Sequence, residues 1–195
     1  MGRPKKSIEI EIQVQIENLD RLKTFLQENA NYVSESHQID KYYSPRHRNF
    51  IKVRPIREWL RLRNSSGKYS VNYKNWYYDK SGRSQYCDEY ESPIQDVKQL
   101  EKIFLALDIK PIVTVDKVRK IWTYKDYEIA LDCIKGLGDF VEIEYKGRKT
   151  NKKPSEIIQE MIIFLKSIKV GNISRNYLGY PFQLLFPDEV EYEKF

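Results

Sequence analysis

The sequence predicts an α+β protein whose main element is a large antiparallel sheet. Runs of alternating apolar and polar residues, typical of half-buried strands, number about eight, against three runs with helical spacing. The helical runs do not alternate regularly with the strands, which argues against a parallel sheet with crossover helices. Tyrosine and phenylalanine, which favour strands, supply 15 and 8 of the 195 residues.

Length and composition further restrict the kind of protein this chain is expected to be. A chain of 195 residues fits one domain, expected over residues 8–195, after a basic segment, 1–7, that we expect to be a disordered tail. The net charge of +6 favours an anionic partner. No apolar run approaches the roughly 20 residues of a membrane span and no signal peptide is visible, so we expect a cytoplasmic protein without a membrane partner. Cys87 and Cys133 match neither a disulfide framework nor a zinc-binding pattern.

The first predicted strand, residues 8–16, alternates so strictly that one face would be aliphatic and the other polar. Residues two apart on a strand point the same way, so Glu9 and Glu11 place two carboxylates on one face. The same spacing of like charges recurs in Arg61/Arg63, Glu89/Glu91, Lys117/Arg119 and Glu142/Glu144. A solvated strand face explains any single pair. Pairs of both signs in several strands indicate a sheet that faces metal ions and a polyanion.

The other elements follow from local patterns. Helices are predicted where apolar residues recur at helical spacing, over 18–29, 95–107 and 154–169. Further strands are predicted over 36–43, 58–63, 68–78, 85–91, 112–122, 127–133 and 140–145. Asn64-Ser-Ser-Gly67 indicates a hairpin, and Pro93 is expected to end the strand that precedes it. The aromatic segment that runs to Phe195 is predicted to be irregular.

These segments resemble the CYTH, or triphosphate-tunnel, superfamily. Glu9-Ile-Glu11-Ile-Gln13 resembles the family's E-x-E-x-K motif, and the later matches come in family order. They are Gln38-Ile-Asp40-Lys-Tyr42, Leu60-Arg61-Leu62-Arg63, Tyr73-Lys74, Glu89-Tyr-Glu91, Lys117-Val-Arg119, Leu131-Asp132 and Gly136-Leu-Gly-Asp-Phe-Val-Glu142-Ile-Glu144. The last of these, with Arg175-Asn-Tyr177 and Leu184-Leu185, is most similar to the class IV adenylyl cyclase branch. The agreement extends over roughly residues 8–186.

The resemblance implies an eight-stranded antiparallel closed β-barrel, or tunnel, with flanking helices. It assigns Mg²⁺ or Mn²⁺ binding to Glu9, Glu11, Asp132, Glu142 and Glu144. It assigns phosphate binding to Arg61, Arg63, Lys74, Lys117 and Arg119, with Gln13, Glu89 and Glu91 as tunnel wall. These residue types suit the chemistry, because hard divalent cations take oxygen ligands and guanidinium groups match phosphate oxygens. Each binding assignment has an alternative. The like-charge pairs could be exposed charges on a solvated strand face, and Asp132 could be a structural aspartate beside a turn.

Two positions depart from the family pattern. Gln13 stands in place of the motif lysine, and Cys87 stands where the family usually has an arginine two residues before Glu89. Both changes remove positive charge that would face phosphate, so we expect weaker or altered substrate binding. The candidates for replacing this lost positive charge are Lys41, Arg46, Arg48, Lys52 and Arg83.

The leading functional prediction is a divalent-metal-dependent enzyme acting on a nucleoside triphosphate, most like a class IV adenylyl cyclase that converts ATP to cyclic AMP and pyrophosphate. Two alternatives stay open: an inorganic or organic triphosphatase of the same fold, and a catalytically silent binder of nucleotide or polyphosphate. Nucleic-acid binding is not expected, because the charges alternate in sign and no reader motif is present. The resemblance is compatible with a homodimer. No catalytic residue is assigned, and Tyr177, Tyr180 and Phe182 form a candidate lid.

Overall fold

The computed structural model describes residues 8–147 and 151–195, so the predicted tail, residues 1–7, lies outside the described residues. The α+β class is confirmed: an antiparallel sheet is flanked by helices. The strands are β1 (Ile8–Glu9), β2 (Glu11–Ile16), β3 (Asn31–Pro45), β4 (Glu58–Ser65), β5 (Lys68–Tyr78), β6 (Ser84–Ile94), β7 (Ile109–Tyr124), β8 (Tyr127–Ile134), β9 (Gly138–Tyr145), β10 (Ile173–Arg175) and β11 (Glu193–Lys194). The helices are α1 (Leu19–Asn29), α2 (Val97–Ala106), α3 (Pro154–Ser167) and α4 (Gly179–Leu185), with 3₁₀ turns at Phe50–Lys52 and Pro187–Glu189.

The predicted eight-stranded closed barrel is wrong in strand number and in closure. Over the two described stretches, eleven strands form one sheet in the order β1-β6-β5-β4-β3-β7-β8-β9-β2-β10-β11. The first predicted strand is divided at Ile10: β1 pairs with β6, whereas β2 pairs with β9 on one edge and with β10 on the other. The ladder to β6 ends at Glu9, and β10 pairs with β2 only from Val14 onward. The covalent chain at Ile10, rather than a continuous ladder, therefore joins the two sides of the sheet.

The helices cover the aliphatic outer face of the sheet. Ile12 and Val14 of β2 pack in one buried cluster with Met161 and Leu165 of α3 and Leu22 of α1. Burying an aliphatic side chain of this size stabilises the fold by about 1.5–3 kcal/mol. A smaller cluster places α2 against β3 and β4. Since strand side chains alternate, the polar residues of β2 face away from the helices.

The three predicted helices are present, and three local predictions need correction. Strands β3 and β7 exceed their predicted lengths because they form one long antiparallel pair. This pair runs from Asn31 opposite Thr123 to Pro45 opposite Ile109. Pro93 does not end β6, since it pairs with Ser70 in the ladder to β5. On the other edge of β6, β1 pairs only with Cys87 and Asp88. No strand lies there beside Pro93, so its missing N–H costs no ladder hydrogen bond.

The third correction concerns the aromatic segment, which is not irregular: it forms β10, α4 and β11. None of the helices in the described part of the chain is long and apolar enough to cross a bilayer.

Candidate functional site

The inward faces of the sheet surround a cavity of about 260 Å³. Among the described residues, seven acidic and seven basic side chains line it: Glu9, Glu11, Glu89, Glu91, Glu128, Glu142 and Glu144, with Arg61, Arg63, Lys74, Lys117, Arg119, Lys146 and Arg175. Strand register produces this convergence, since Glu11 pairs with Glu144 and the neighbouring Gln13 pairs with Glu142. The like-charge pairs of the sequence therefore converge on one cavity; Glu91 is exposed, whereas the other members of the pairs are buried or half-buried.

Lys74 lies at the centre of the acidic part of the cavity. Its Nζ is 2.5 Å from Glu9 Oε2, 3.5 Å from Glu11 Oε2 and 3.7 Å from Glu89 Oε1. Burial opposes the charge on Lys74, but the Glu11 and Glu9 carboxylates raise its pKa well above the ordinary value. Burial also opposes the charge on Glu9, yet the Lys74 ammonium lowers the pKa of Glu9 to about 2. One ammonium is thus shared by three carboxylates.

The acidic part carries more negative charge than its own cations balance. Burial, followed by the charge of Glu9, raises the pKa of Glu144 to about 7, although Lys146 Nζ lies 2.6 Å from Glu144 Oε2. Burial also raises the pKa of Glu11 well above the ordinary value, and the charges of Glu9 and Glu142 add to the rise. Within residues 8–147 and 151–195, no three His, Cys, Asp or Glu side chains form a group that could hold a metal ion as arranged here.

Asp40 fixes the arginine pair of β4, the strand next to the one that carries Lys74. Its carboxylate is 1% exposed and accepts two hydrogen bonds of 2.6 Å from Arg63 Nε and Nη2, and one of 3.4 Å from Arg61 Nη1. Burial opposes the Asp40 charge, but the Arg61 and Arg63 guanidinium groups hold the pKa of Asp40 well below its usual range. The buried Nε of Arg61 has no hydrogen-bond partner among the described residues.

Asp132 is the predicted site residue that the structure does not place in the cavity lining. Its two carboxylate oxygens accept from Arg119 Nε and Nη2 at 2.7 and 2.6 Å and from Lys117 Nζ at 3.2 Å. The Tyr180 hydroxyl donates to the same group at 2.9 Å. These contacts position Lys117 and Arg119, whose side chains do line the cavity. The metal-binding role of Asp132 stays a prediction.

The two departures from the family pattern occupy different environments. Gln13 lines the cavity and accepts a 3.4 Å hydrogen bond from Gln183 Nε2 of α4. Cys87 is fully buried and its Sγ donates to Glu9 Oε2 at 3.1 Å. Burial raises the pKa of the Cys87 thiol, so this side chain stays uncharged. Neither position supplies positive charge to the cavity.

The five basic residues proposed as compensation lie outside the cavity lining. Three of them have carboxylate partners elsewhere, since Lys41 contacts Glu101, Arg48 contacts Glu58 and Arg83 contacts Glu193. The additional cations in the lining are Lys146 and Arg175, which the sequence reasoning did not assign. Lys146 continues the alternation of Glu142 and Glu144, a signal that could have identified it. Arg175 belongs to the Arg175-Asn-Tyr177 segment that carries part of the family resemblance, but the resemblance assigns no binding role there.

Aromatic residues form another part of the lining. Trp59 and Trp76 come from β4 and β5, and Tyr177 and Tyr180 come from the segment around the start of α4. Lys117 Nζ lies 5.1 Å from the centre of the Tyr180 ring. Phe182, the third residue of the predicted lid, is instead 1% exposed in the hydrophobic core. The C-terminal segment thus supplies cavity wall through its two tyrosines.

The antiparallel sheet, its flanking helices and the charged cavity are the features expected of a CYTH-like protein. The CYTH domain family model matches residues 7–175, so the chain belongs to the CYTH domain family. A protein of Methanocaldococcus jannaschii named "putative adenylate cyclase" is 30% identical over 175 residues, which cover 88% of this chain and 97% of that protein.

Solved structures show the same fold at lower identity. A protein of Pyrococcus horikoshii matches with a TM-score of 0.73 at 24% identity, covering 92% of this chain and 99% of its own. A protein of Hippeastrum, described as a putative adenylyl cyclase with a dominant triphosphatase activity, matches with a TM-score of 0.61 at 16% identity, covering 92% of this chain and 95% of its own.

Proposed function

We propose that this protein is a divalent-metal-dependent enzyme that acts on a nucleoside triphosphate, most like a class IV adenylyl cyclase. The observation that carries the proposal is the single cavity in which buried carboxylates and buried guanidinium groups face a common space. A cation together with a polyphosphate is the ligand pair that compensates both sets of charges. The name of the Methanocaldococcus jannaschii relative supports the same activity.

The donor set of the acidic part suits Mg²⁺ or Mn²⁺. Glu9, Glu11 and Glu89 already place oxygens 3.7 Å or less from one positive charge, the Lys74 ammonium. Mg²⁺ commonly takes one or two carboxylates and completes its coordination with water and phosphate oxygens, so a full protein cage is not required. We assign the metal to Glu9 and Glu11 of this group, together with Glu144 and Glu142 of β9, which lie opposite Glu11 and Gln13 of β2. The bound ion would neutralise phosphate charge and activate the attacking hydroxyl.

The basic wall is prearranged for phosphate. Asp40 holds Arg61 and Arg63, and Asp132 holds Lys117 and Arg119, so the four cations are positioned before a ligand arrives. Prearranged donors stabilise developing charge without reorganisation during the reaction. Guanidinium forks bind phosphate oxygens in pairs, whereas a lysine acts as a point charge. This wall would orient the triphosphate for in-line attack at a phosphorus.

The aromatic lining favours an organic over an inorganic triphosphate. Trp76, which is half-buried, borders the same cavity as the phosphate-binding residues, and aromatic faces stack on nucleobases. Tripolyphosphate has no group that could use them. The second candidate function is triphosphate hydrolysis, the dominant activity in the description of the Hippeastrum protein.

Product analysis separates these activities. Purified protein is incubated with ATP, GTP, thiamine triphosphate or tripolyphosphate in the presence of Mg²⁺ or Mn²⁺. We expect cyclic nucleotide and pyrophosphate in equal amounts. Orthophosphate without cyclic nucleotide would establish the second candidate instead, and the absence of turnover with all four compounds would overturn the enzymatic proposal.

Glu11→Gln tests the metal assignment. The variant keeps the side-chain shape but removes a charged oxygen ligand, so we expect kcat/KM to fall by at least about 100-fold, because losing even the partners of metal ligands commonly costs 10- to 100-fold. The measurement is the rate as a function of Mg²⁺ and Mn²⁺ concentration. Glu35→Gln is the matched control, since Glu35 lies half-exposed beside Lys120 outside the cavity. Wild-type metal dependence in Glu11→Gln would remove Glu11 from the site.

A further inference from the structure

The Lys74 ammonium lies where two of the proposed metal ligands converge. Its Nζ is 2.5 Å from Glu9 Oε2 and 3.5 Å from Glu11 Oε2. Glu9 is buried, and the same Oε2 atom also accepts a hydrogen bond from the Cys87 thiol at 3.1 Å. The carboxylate oxygens that would bind a metal ion therefore already hold a positive charge, which the protein itself supplies.

A metal ion and the Lys74 ammonium exclude each other from this position. Mg²⁺ binds carboxylate oxygens at about 2.0–2.1 Å, so an ion on Glu9 Oε2 would lie next to the ammonium that contacts the same atom. Two positive charges at such a short separation repel strongly, and burial of Glu9 reduces the screening by water. A metal ion can therefore use Glu9 and Glu11 together only after the ammonium has moved away.

The order of the strands gives Lys74 a second place to go. Strand β5, which carries Lys74, lies between β6 and β4 in the sheet. On one side β6 pairs with β1, which contains Glu9, and on the other side β4 contains Arg61 and Arg63. A lysine side chain has a flexible four-carbon stem, and the cavity of about 260 Å³ gives the ammonium space to move. An anion held by the two arginines would therefore offer Lys74 a partner on the β4 side.

We propose that Lys74 is an internal counter-ion that competes with the metal ion for Glu9 and Glu11 and leaves these carboxylates when the triphosphate binds. This inference rests on the proposed function, since it concerns the metal ion and the anion of that site. An anion that draws Lys74 away strengthens metal binding, and by linkage the metal ion strengthens anion binding to the same degree. The protein therefore binds a metal ion weakly on its own and more tightly together with the triphosphate.

Lys74→Met tests the competition, because methionine keeps an apolar stem and removes the ammonium. Mn²⁺ binding without triphosphate is measured by electron paramagnetic resonance, and tripolyphosphate binding in the presence of EDTA is measured by titration calorimetry. We expect Mn²⁺ to bind at least about tenfold more tightly, because no charged hydrogen bond has to be broken first. Tripolyphosphate should bind about tenfold more weakly, because one cation is lost. Lys74→Gln, which keeps a neutral donor for the carboxylates, should change both affinities in the same directions.

Two control variants separate competition from general charge effects. Lys117→Met removes a charge paired with Asp132 elsewhere in the lining, and Lys120→Met removes one paired with Glu35 outside the cavity. The first should gain less Mn²⁺ affinity than Lys74→Met, and the second should bind like the wild type. Unchanged Mn²⁺ affinity in both Lys74 variants, an equal gain in Lys117→Met, or weaker binding of both ligands would overturn this inference alone. Wild type and Lys74 variants that bind neither Mn²⁺ nor tripolyphosphate would overturn the proposed function as well.

Discussion

At the residue scale, two buried aspartates determine where the cations of the cavity wall lie. Asp40 and Asp132 are each 1% exposed and each accept hydrogen bonds from two basic side chains. In the ligand-free protein these contacts position the cations that would meet the substrate.

Asp40→Asn tests this positioning. The change removes the negative charge between Arg61 and Arg63 while keeping the shape of the side chain, so two buried cations lose their compensation. We expect the free energy of unfolding to fall by about 3–5 kcal/mol, as for other broken buried pairs. Urea denaturation of the ligand-free protein measures it.

The matched control is Asp20→Asn. Asp20 pairs with Lys23 across one turn of α1, but its side chain is 90% exposed, and exposed pairs contribute little. Similar unfolding free energies for Asp20→Asn and Asp40→Asn would contradict the positioning role of Asp40.

Gln13→Lys tests the effect of the departure from the family motif. The side chain lines the cavity, so an ammonium at this position would add a charged donor for phosphate. We expect triphosphate binding to tighten by roughly tenfold, the effect of one charge-assisted hydrogen bond. Calorimetric titration provides the affinity. Gln15→Lys makes the same change on the same strand outside the cavity lining, and a similar gain in that variant would mean that general electrostatic attraction is responsible.

At the element scale, the position of the polar inner face of the sheet depends on the packing of its aliphatic outer face. The inward polar side chains of β2, Glu11 and Gln13, are held in the cavity because its outward aliphatic residues are covered by α1 and α3. Met161 and Ile157 of α3 are fully buried, whereas Ile163 on the opposite side of the helix is 55% exposed. Weaker packing of α3 on the outer face would therefore displace β2 and disturb the cavity on the inner face of the sheet.

Met161→Ala is expected to lower the free energy of unfolding by about 2–5 kcal/mol, because it leaves a cavity beneath the helix. Ile163→Ala, on the exposed face of the same helix, should change it by less than about 0.5 kcal/mol. Thermal and urea unfolding compare the two variants. Equal effects would show that α3 does not cover the sheet as described.

At the scale of the whole molecule, the pattern within each strand predicted which side chains share a face. Contacts between segments far apart in the sequence determined the features that the pattern did not predict. Glu9/Glu11 and Arg61/Arg63 reach the cavity because side-chain alternation is a property of a single strand. The strand that contains Arg175 has three residues, too few for a periodic pattern, and it exists through its pairing with β2. Asp132 could not be placed from its neighbours, because Tyr180 and Arg119 come from other elements.

The divided first strand has a consequence for biosynthesis. Residues 8–16 leave the ribosome before every segment that pairs with them: Asp88 for Ile8, Glu144 for Glu11 and Arg175 for Val14. Such non-local pairing delays productive folding until late in translation. The aliphatic face of this strand therefore stays without its sheet partners until almost the whole polypeptide has emerged.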